Sequence, residues 1–530
     1  MTARTLMIQG TMSSAGKSLL TAAFCRIFAR RGLRVAPFKA QNMSNNAAVC
    51  AGGLEIGRAQ ALQAAAARVA PRFEMNPILL KPQGDARSQV IVRGRPWKTL
   101  PARAYYQTRD ELWPVVTEAL DRLRSEFELV VVEGAGSPAE MNLRHVDIVN
   151  MAVARHCGSP VLLVGDIERG GAFAQLLGTL WLLEPEDRRL VRGLIVNKFR
   201  GDRTLFNDGV EYLQRRGEVP VLGVVPWLPA LDLPEEDGQP LQCTLRSAAA
   251  AGAQLDIAVI RLPHIANFDD FDPLGSEPGV VLRYVDSPER LMQPDAIILP
   301  GTKSTIADLE WLRRTGLTGR ISALARAGTA VVGICGGYQM LGVLVRDPEG
   351  VEATVAEAPG LGLLPIETIF SERKETHQVR VRVIDDRHCP GSRGAHLAGY
   401  EIHHGQTRGG APWLTILFRG ELPVDIEDGA VSADGRVWGC YLHGLFANDD
   451  LRANWLNSLR KDGDRVPDPE PVTPSAERLE AALERLADAV EASVDMPLLE
   501  QIVFSSNILL PSPPGRGVGG EGGRYRTTDN

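Results

Sequence analysis

A single cysteine stands on a glycine-rich turn in the second half of the chain. In the string TAVVGICGGYQML, residues 329–341, an apolar run leads through Gly333 and Cys335 into a helical pattern. Small neighbours give a nucleophile clearance and permit unusual backbone angles, and the start of a helix favours the thiolate. Most lone cysteines are buried and inert, but this setting makes Cys335 a candidate nucleophile.

A nucleophilic thiol needs a base within hydrogen-bond reach. The chain has nine histidines, and His443 is the best placed, because it closes the apolar run RVWGCYLH and is followed by Gly444. His403 and His404, in the string GYEIHHGQT, are alternatives that could instead bind substrate or pack. We therefore expect Cys335 and His443 to work as a pair.

A phosphate-binding loop opens the chain. GTMSSAGKS, residues 10–18, follows the apolar run TLMIQ and precedes the helical run LLTAAFCRIFARRG. This order directs backbone N–H groups at an anion, with Lys17 reaching the outer phosphates and Ser18 ligating magnesium. Five residues, rather than the common four, separate Gly10 from the Gly16-Lys17-Ser18 triplet. The alternative interpretation is a glycine turn that happens to contain lysine. The candidate nucleotide-binding residues of the loop are Gly10, Thr11, Ser14, Gly16, Lys17 and Ser18.

Residues at the ends of neighbouring apolar runs could complete a nucleotide site. Glu133 ends FELVVVE before a Gly-Ala-Gly string, which makes it a candidate magnesium ligand together with Ser18. Lys39 follows a strand in VAPFKAQNMSNN, whose amides could line a ligand crevice. Asn197 and Lys198 end GLIVNKF, where a nucleotide base could be read. The alternatives are an exposed strand-end glutamate and an asparagine-rich turn.

Composition excludes several classes of protein. A length of 530 residues predicts two or three domains. The 65 acidic and 58 basic side chains give a net charge of -7, which does not favour a nucleic-acid partner. The seven cysteines are never spaced as CxxC, which argues against a disulfide framework or a zinc site. Neither a signal peptide nor a membrane span is apparent, so we expect a soluble cytoplasmic protein with no membrane partner.

The elements that must position these residues alternate regularly. Short apolar runs, each about one strand long, are separated by helical stretches rich in alanine and leucine, which predicts an α/β fold with parallel sheets flanked by helices. The predicted strands are TLMIQ, LRVAPF, FELVVVE, PVLLVGD, GLIVNKF, PVLGVVP, LDIAVIRL, DAIILPG, TAVVGIC and RVWGCYLH.

Turn-forming and acidic residues replace this pattern at 232–254. We therefore place an N-terminal domain at residues 1–235 and a second domain at 253–450. The string TPSAE, beginning at Thr473, offers an N-cap and a helix start within a predicted helical extension at 451–504. Residues 505–530 are rich in Gly, Pro and Ser, which predicts a disordered tail.

The second half resembles the class I glutamine amidotransferases, in which a cysteine attacks the glutamine amide and releases ammonia. The resemblance rests on GxCGG with a later strand-end histidine and on PGTKST, residues 300–305. It implies an oxyanion or glutamine site at Gly301, Gly336 and Gly337. Most members carry a glutamate two residues after the histidine, whereas this chain has Leu445, as in the cobyric and cobyrinic acid branch. The residue that orients His443 is therefore left open.

The first half resembles the dethiobiotin synthetase group of nucleotide-binding, amide-forming enzymes, because of the extra loop residue and the string EGAGSPAE. From residue 6 to about 450, QGTMSSAGKS, FKAQNMSNN, NPILLKPQGDARSQVIVRG, LPHIANFDDFDPL and YEIHHGQT together resemble the cobyric acid synthase family. The predicted architecture is thus a dethiobiotin synthetase-like P-loop domain followed by a class I glutaminase-like α/β domain.

The resemblance implies that ATP, Mg²⁺, glutamine and a corrinoid a,c-diamide take part in one reaction. ATP would convert a propionate carboxylate to an acyl phosphate, with Lys17, Lys39 and magnesium on Ser18 and Glu133 stabilising the charge. Ammonia from the Cys335 site would then displace phosphate, in turn at the b, d, e and g side chains.

Two other interpretations stay open at this point. A cobyrinic acid a,c-diamide synthase has the same two-domain plan, although GTMSSAGKS and QNMSNN favour the enzyme that acts later. A partitioning-type P-loop ATPase would be a non-enzymatic assembly protein. Such proteins carry a second lysine early in the loop, where this chain has Thr11 and Met12, and they lack a thiol domain.

Overall fold

Two parallel sheets form the centres of the two halves of the chain. The computed structural model describes residues 2–83, 87–229, 231, 233, 255–352, 355–460 and 474–505. All ten predicted strands are present, six in the first sheet and four in the second. The predicted α/β fold class, with a parallel sheet flanked by helices in each half, is confirmed.

The first sheet has six strands, all parallel. Strands such as Leu129–Glu133 are buried along their whole length, because helices cover both faces of the sheet. In spatial order the strands are Val221–Pro226, Val191–Phe199, Val161–Asp166, Arg4–Gly10, Leu129–Glu133 and Val35–Phe38. The α-helices among the described residues of this half are Lys17–Arg30, Arg58–Ala66, Ala102–Tyr106, Arg109–Glu126, Met151–Cys157, Ala172–Leu182, Pro185–Arg188 and Asn207–Gly217.

The second sheet has five parallel strands and one short antiparallel edge strand. Its strands, in spatial order, are Val280–Val285, Leu255–Ile260, Ala296–Leu299, Ala330–Ile334, Val437–Cys440 and the antiparallel Ala430–Val431. The α-helices of this half are Asp272–Gly275, Pro288–Leu291, Thr305–Arg314, Leu317–Arg326, Gly336–Leu341 and Asp449–Leu459.

A third sheet built around a long hairpin extends the second half, and the prediction of parallel sheets alone did not include it. Strands Ile366–Val383 and His396–Gly409 pair antiparallel over most of their length. The end of the first strand alternates buried and exposed residues, the period-2 pattern of a half-buried strand. The remaining strands of this sheet are Glu357–Pro359, Leu344–Arg346, Leu414–Arg419 and Leu422–Asp428.

Residues 41–83 and 87–101 contribute a four-stranded sheet and a two-stranded hairpin, which lie between the P-loop sheet and the long hairpin. Gln41–Met43 pairs parallel with Ile78–Gln83, so the polar QNMSNN string begins as a strand rather than as a plain turn. The other strands here are Arg87–Val92, Arg95–Pro101, Ala47–Cys50 and Leu54–Gly57.

The last described helices, Ser475–Glu491 and Met496–Phe504, return to the N-terminal half. Their apolar side chains share one core with helix Lys17–Arg30. The helix that was predicted to start after Thr473 begins at Ser475, with Pro474 at its N-cap, and Thr473 itself lies outside the described residues. Most of the predicted linker at 232–254 and the predicted tail after Ser505 also lie outside them.

Among the described residues, no helix combines the length and the apolar content that crossing a membrane would require.

Candidate active site

Cys335 occupies the turn between strand Ala330–Ile334 and helix Gly336–Leu341, as predicted. Its backbone has φ 52° and ψ −110°, a strained conformation for a residue with a Cβ. Gly333 allows the turn to fold back closely, because a Cβ there would lie 2.7 Å from the backbone nitrogen of Tyr338. The thiol is buried and lies 3.6 Å from the carbonyl oxygen of Ile402. The turn thus presents one sulfur atom in a fixed position.

His443 receives its support from Asp270, a residue that the sequence analysis did not single out. Nδ1 of His443 lies 2.6 Å from Oδ2 of Asp270, and the Gly444 N–H donates to Oδ1 at 2.9 Å. The Tyr400 ring stacks on the imidazole at 5.1 Å between centroids. Leu445, which stands where most related enzymes carry glutamate, is 1% exposed and packs in the core. A carboxylate from another element therefore orients the imidazole.

The charge state of His443 follows from these neighbours. Burial opposes the imidazolium, but the charges and hydrogen bonds of Asp270 and Cys335 outweigh burial and raise the pKa of His443 to about 10. The imidazole is therefore protonated at neutral pH. A cationic imidazole beside the sulfur stabilises a thiolate, which is the form that attacks an amide carbon.

A cavity surrounds the thiol and the imidazole. Gly301 lies where a Cβ would come within 3.0 Å of Cε1 of His443, so glycine is needed for this close approach. Gly336 lines the cavity, whereas Gly337 packs against the end of strand Ala296–Leu299, with a Cβ position 1.9 Å from the carbonyl oxygen of Leu299. The lining residues are Asn45, Lys81, Ala266, Asn267, Gly301, Thr302, Lys303, Cys335, Gly336, Gln339, Glu352, Lys374, Ile402, His403, His404 and His443.

The two alternative histidines line this cavity without replacing His443. His403 stacks on Tyr441 at 3.7 Å between centroids and lies 3.4 Å from Glu401. Burial, together with Lys303 and Lys374, lowers the pKa of His404 to about 3, so this imidazole is neutral at physiological pH. Both are placed to form walls of the cavity.

Several buried acidic and basic side chains line the cavity. Burial raises the pKa of Glu352 to about 7, with Lys303 opposing the shift, and burial also lowers the pKa of Lys303. Glu55 lies between Lys81, at 2.5 Å, and Lys374, which it also contacts. One wall thus carries both cationic and acidic groups, which sequence reasoning missed because they come from distant segments.

The N-terminal half reaches the imidazole through two asparagines. The Asn267 N–H donates to Oδ1 of Asn46 at 2.8 Å, and the Ala47 N–H donates to Oδ1 of Asn267 at 2.9 Å. Nδ2 of Asn267 lies 3.4 Å from Nε2 of His443. Asn46 belongs to the predicted crevice string QNMSNN, so this string contacts the thiol site.

The phosphate loop has the predicted strand, loop and helix order. Gly16 has φ 96°, and a Cβ there would lie 2.1 Å from Nδ2 of Asn197, so only glycine fits. Lys17 donates to the carbonyl oxygens of Met12 and Gly136 at 2.9 and 3.1 Å. Its ammonium group therefore lies within the loop where phosphates would bind.

Other predicted residues support the loop from behind. Asn197 donates to the carbonyl oxygen of Ala15 at 2.9 Å, and Lys198 donates to that of Ser14 at 2.7 Å. Ser14 itself has φ 58°. Thr11 donates from its hydroxyl to Gln175 at 3.1 Å. In this arrangement Asn197 fixes the loop backbone.

Glu133 forms hydrogen bonds with two other predicted residues of the nucleotide site, Ser18 and Lys39. Its Oε1 accepts from the Ser18 hydroxyl at 2.8 Å and from Lys39 Nζ at 2.8 Å, while its Oε2 accepts from Gln63 at 2.6 Å. Mg²⁺ prefers carboxylate and hydroxyl oxygens, so Ser18 and Glu133 fit the ion. Gln63 is an additional residue of this cluster, and its place on helix Arg58–Ala66 gave no signal in the sequence.

A second group has the composition of a metal site but already carries compensating charge. Among the described residues, Glu375, His377 and Glu401 bring ligand atoms within 4.8 Å of one another. Arg419 donates to Glu375 at 3.0 Å and to Glu401 at 3.2 Å. This group is therefore an ion-pair network beside His403.

Two protein-family models match the chain. A CobB/CobQ-like glutamine amidotransferase domain matches residues 256–451, and a CobQ/CobB/MinD/ParA nucleotide binding domain matches residues 6–241. The chain is 54% identical over 506 residues to the cobyric acid synthase of Chloroflexus aurantiacus, which covers 95% of this chain and 100% of that protein. It is 56% identical over 462 residues to that of Roseiflexus castenholzii, with 87% and 92% covered.

Solved structures show weaker similarity. A glutamine amidotransferase aligns with a TM-score of 0.28 and 17% identity, over 38% of this chain and 97% of that one. The signal recognition particle receptor FtsY of Elizabethkingia anophelis, in complex with GDP, aligns with a TM-score of 0.27 and 16% identity, over 42% and 57%. Both similarities are too low to bear on function.

Proposed function

The chain belongs to the cobyric acid synthase family and is an ATP-dependent glutamine amidotransferase; from that premise we propose that it amidates the b, d, e and g propionates of a corrinoid a,c-diamide, giving cobyric acid. The observation that carries the proposal is the buried Cys335, with the imidazole that Asp270 holds, in a cavity to which the nucleotide half also contributes. A thiol site joined in this way to a phosphate loop fits the delivery of ammonia to an activated carboxylate.

The glutaminase half-reaction begins with the Cys335 thiolate attacking the amide carbon of glutamine. The C–N bond breaks as protonated His443 gives its proton to the leaving nitrogen, and ammonia departs. Neutral His443 then takes a proton from water, which attacks the thioester carbon. The C–S bond breaks, glutamate leaves with loss of its carboxyl proton to solvent, and the thiolate and imidazolium are restored. Asp270 keeps Nδ1 oriented throughout.

The charged wall of the cavity suits a free amino acid. Glutamine carries an α-ammonium and an α-carboxylate, and both need partners when they leave water. We propose that Glu352 receives the ammonium and that Lys303 receives the carboxylate, since both line the cavity beside Cys335. N–H groups of Gly301 and Gly336 are the candidate donors to the oxyanion.

Activation of the carboxylate takes place at the phosphate loop in this proposal. A propionate oxygen attacks the γ-phosphorus of ATP, the bond to the β–γ bridging oxygen breaks, and ADP leaves. Ammonia then attacks the acyl carbon, the C–O bond to phosphate breaks, and the nitrogen loses a proton. Lys17 and Lys39 offset the negative charge that develops.

Ser18 and Glu133 would hold Mg²⁺, which when bound would offset charge on the phosphates. Lys39 and Gln63 keep the Glu133 carboxylate in place. A carboxylate that is fixed before the nucleotide arrives lowers the cost of organising the site.

Mass spectrometry of the corrinoid tests the proposal. The full chain is incubated with ATP, Mg²⁺, glutamine and cobyrinic acid a,c-diamide. We expect four successive products, each with one OH replaced by NH2. An a,c-diamide that stays unchanged, while cobyrinic acid itself gains amides at a and c, would assign the chain to the earlier amidation.

A further inference from the structure

A second cavity lies in the N-terminal half, beside the phosphate loop. Its volume is about 310 Å³. Drug-sized ligands occupy pockets of roughly 300–1,000 Å³, so this cavity can take part of a large ligand whose remainder lies across the mouth. Its walls include residues of three strings with a recognisable pattern: the phosphate loop, EGAGSPAE and QNMSNN.

Large apolar side chains line the mouth of this cavity although they are open to water. Met43 is 58% exposed, and Tyr106, Met141 and Leu182 are each 40% or 41% exposed. They come from four separate segments of the chain. Apolar side chains that are exposed together in one patch often mark a surface that binds a ligand or a partner protein, whereas single exposed apolar residues do not.

The same cavity contains arginines that can meet carboxylates. Arg109 lines the cavity and forms an ion pair at 3.3 Å with Asp110, which is 97% exposed. Arg144 also lines it and pairs with Glu184, which is half exposed, and with Asp187, a buried residue of the same lining. Arginine pairs well with carboxylates through two parallel N–H groups. An apolar mouth with cationic groups suits a large ring whose edge carries acidic side chains.

The cavity opens onto the group that would be attacked. Ser13 of the phosphate loop and Gly136 both line it, and Lys17 donates to the Gly136 carbonyl at 3.1 Å. A carboxylate inside the cavity is therefore next to the outer end of a bound nucleotide. The thiol cavity contains no phosphate-loop residue among its lining residues.

The polar string QNMSNN contributes to both cavities. Gln41 and Met43 line the second cavity, and Asn45 lines the thiol cavity. Strand Gln41–Met43 ends before Asn45, and two residues of chain span at most about 7 Å. The two cavities therefore share one short segment of wall, and ammonia released at Cys335 would pass along it to reach an acyl phosphate in the second cavity.

We propose that the second cavity is the acceptor site, with the corrinoid ring against Met43, Tyr106, Met141 and Leu182 and one propionate held by Arg109. The proposal rests on the function proposed above, because it takes the acceptor to be a corrinoid. The other propionates point to solvent or to Arg144. Successive amidations then require the ring to be released and rebound in a new orientation.

Equilibrium binding of cobyrinic acid a,c-diamide to the full chain, without ATP or glutamine, tests the site. We expect Arg109→Ala to raise the Kd about tenfold, and Met43→Glu to raise it at least as much, because it places a carboxylate against the ring and repels the propionates. Arg103→Ala, an exposed arginine on the neighbouring helix that does not line the cavity, is the matched control and should bind like wild type. Only variants whose thermal unfolding midpoint equals that of the wild-type chain enter the comparison of Kd values.

The outcomes separate the site from the function. If both Arg109→Ala and Met43→Glu bind the corrinoid with the wild-type Kd, the site assignment is wrong even where the wild-type chain makes cobyric acid. If the wild-type chain amidates no corrinoid, the proposed function fails first. Weakened binding in both variants, with Arg103→Ala unchanged, supports the site.

Discussion

Oδ2 of Asp270 lies 2.6 Å from Nδ1 of His443, although the two residues are 173 positions apart in the chain. The other carboxylate oxygen accepts from the backbone of Gly444, so one acid fixes both the ring and the turn that follows it. Most class I enzymes that this chain resembles place a glutamate two residues after the histidine, where this chain has Leu445. The supporting carboxylate is thus supplied by a different segment.

Asp270→Asn should reduce glutamine-dependent amidation about 10²-fold, the scale of general acid–base catalysis. The substitution removes the charge that helps to raise the pKa of His443 to about 10. The pKa then falls, so the imidazole loses its proton at lower pH, and the alkaline decline in glutaminase rate moves toward neutrality. The measurement is kcat/KM for glutamine across pH.

Ammonium-dependent amidation by Asp270→Asn should stay near wild type, because the nucleotide half is unaltered. Asp425→Asn, a change at an exposed carboxyl on strand Leu422–Asp428, serves as the control. An unshifted pH profile in Asp270→Asn would show that Asp270 does not set the protonation of His443.

Cys335→Ala should lose glutamine-dependent amidation by more than about 10³-fold, yet keep amidation with added ammonium salt. Lys17→Ala should lose both reactions by about 10²-fold or more, because charge on the phosphates is no longer offset. Product formation with each nitrogen source distinguishes these results. Cys157→Ala and Lys98→Ala are controls at positions outside both sites, and retention of glutamine use by Cys335→Ala would contradict the thiol assignment.

Glu352→Gln should raise the KM for glutamine in a pH-dependent way. Burial raises the pKa of Glu352 to about 7, so its carboxyl is mostly neutral at pH 6 and mostly charged at pH 8. The ratio of variant to wild-type KM should therefore be near one at pH 6 and about tenfold at pH 8. Glu310→Gln, which alters an exposed carboxyl, should show a ratio near one throughout. A constant ratio across pH in Glu352→Gln would remove Glu352 from glutamine recognition.

Arg26→Ala should destabilise the protein by about 2 kcal/mol. The Arg26 side chain is 0% exposed and donates to Glu480 and Glu484 of the C-terminal helix at 2.8 and 3.0 Å. Both carboxylates are partly exposed, so the expected loss of stability is smaller than for a fully buried ion pair. Chemical denaturation measures the change. Arg34→Ala, at a pair that is 68% exposed on the arginine side, should change stability by less than about 0.5 kcal/mol.

Local patterns predicted the parallel sheets and the loops that follow their strands. Each of the ten apolar runs forms a strand because a strand buried on both faces needs only a continuous apolar run, which is visible within six residues. Gly16 and Gly333 were predictable for the same reason, since each is required by its own turn. The hairpin strand Ile366–Val383 also carried a readable signal in its alternation, which the helix and parallel-strand rhythm obscured.

The contacts between the halves could not be predicted in this way. Asp270, Asn46 and Lys81 become site residues only when distant segments pack together. Each is polar and lies in a string that reads as a loop or an ordinary strand. Pairing charges across hundreds of residues depends on the tertiary packing, which periodicity and spacing do not encode.

The return of helices Ser475–Glu491 and Met496–Phe504 to the first half has a consequence for dividing the polypeptide. A cut between the two halves, in residues 234–254, would leave the second fragment with Leu483, Leu486 and Val490, which belong to the core of the first. The two fragments would then associate, because the terminal helices of the second fragment complete the apolar core of the first. Expressing residues 2–229 alone would instead expose the apolar face of helix Lys17–Arg30 to water.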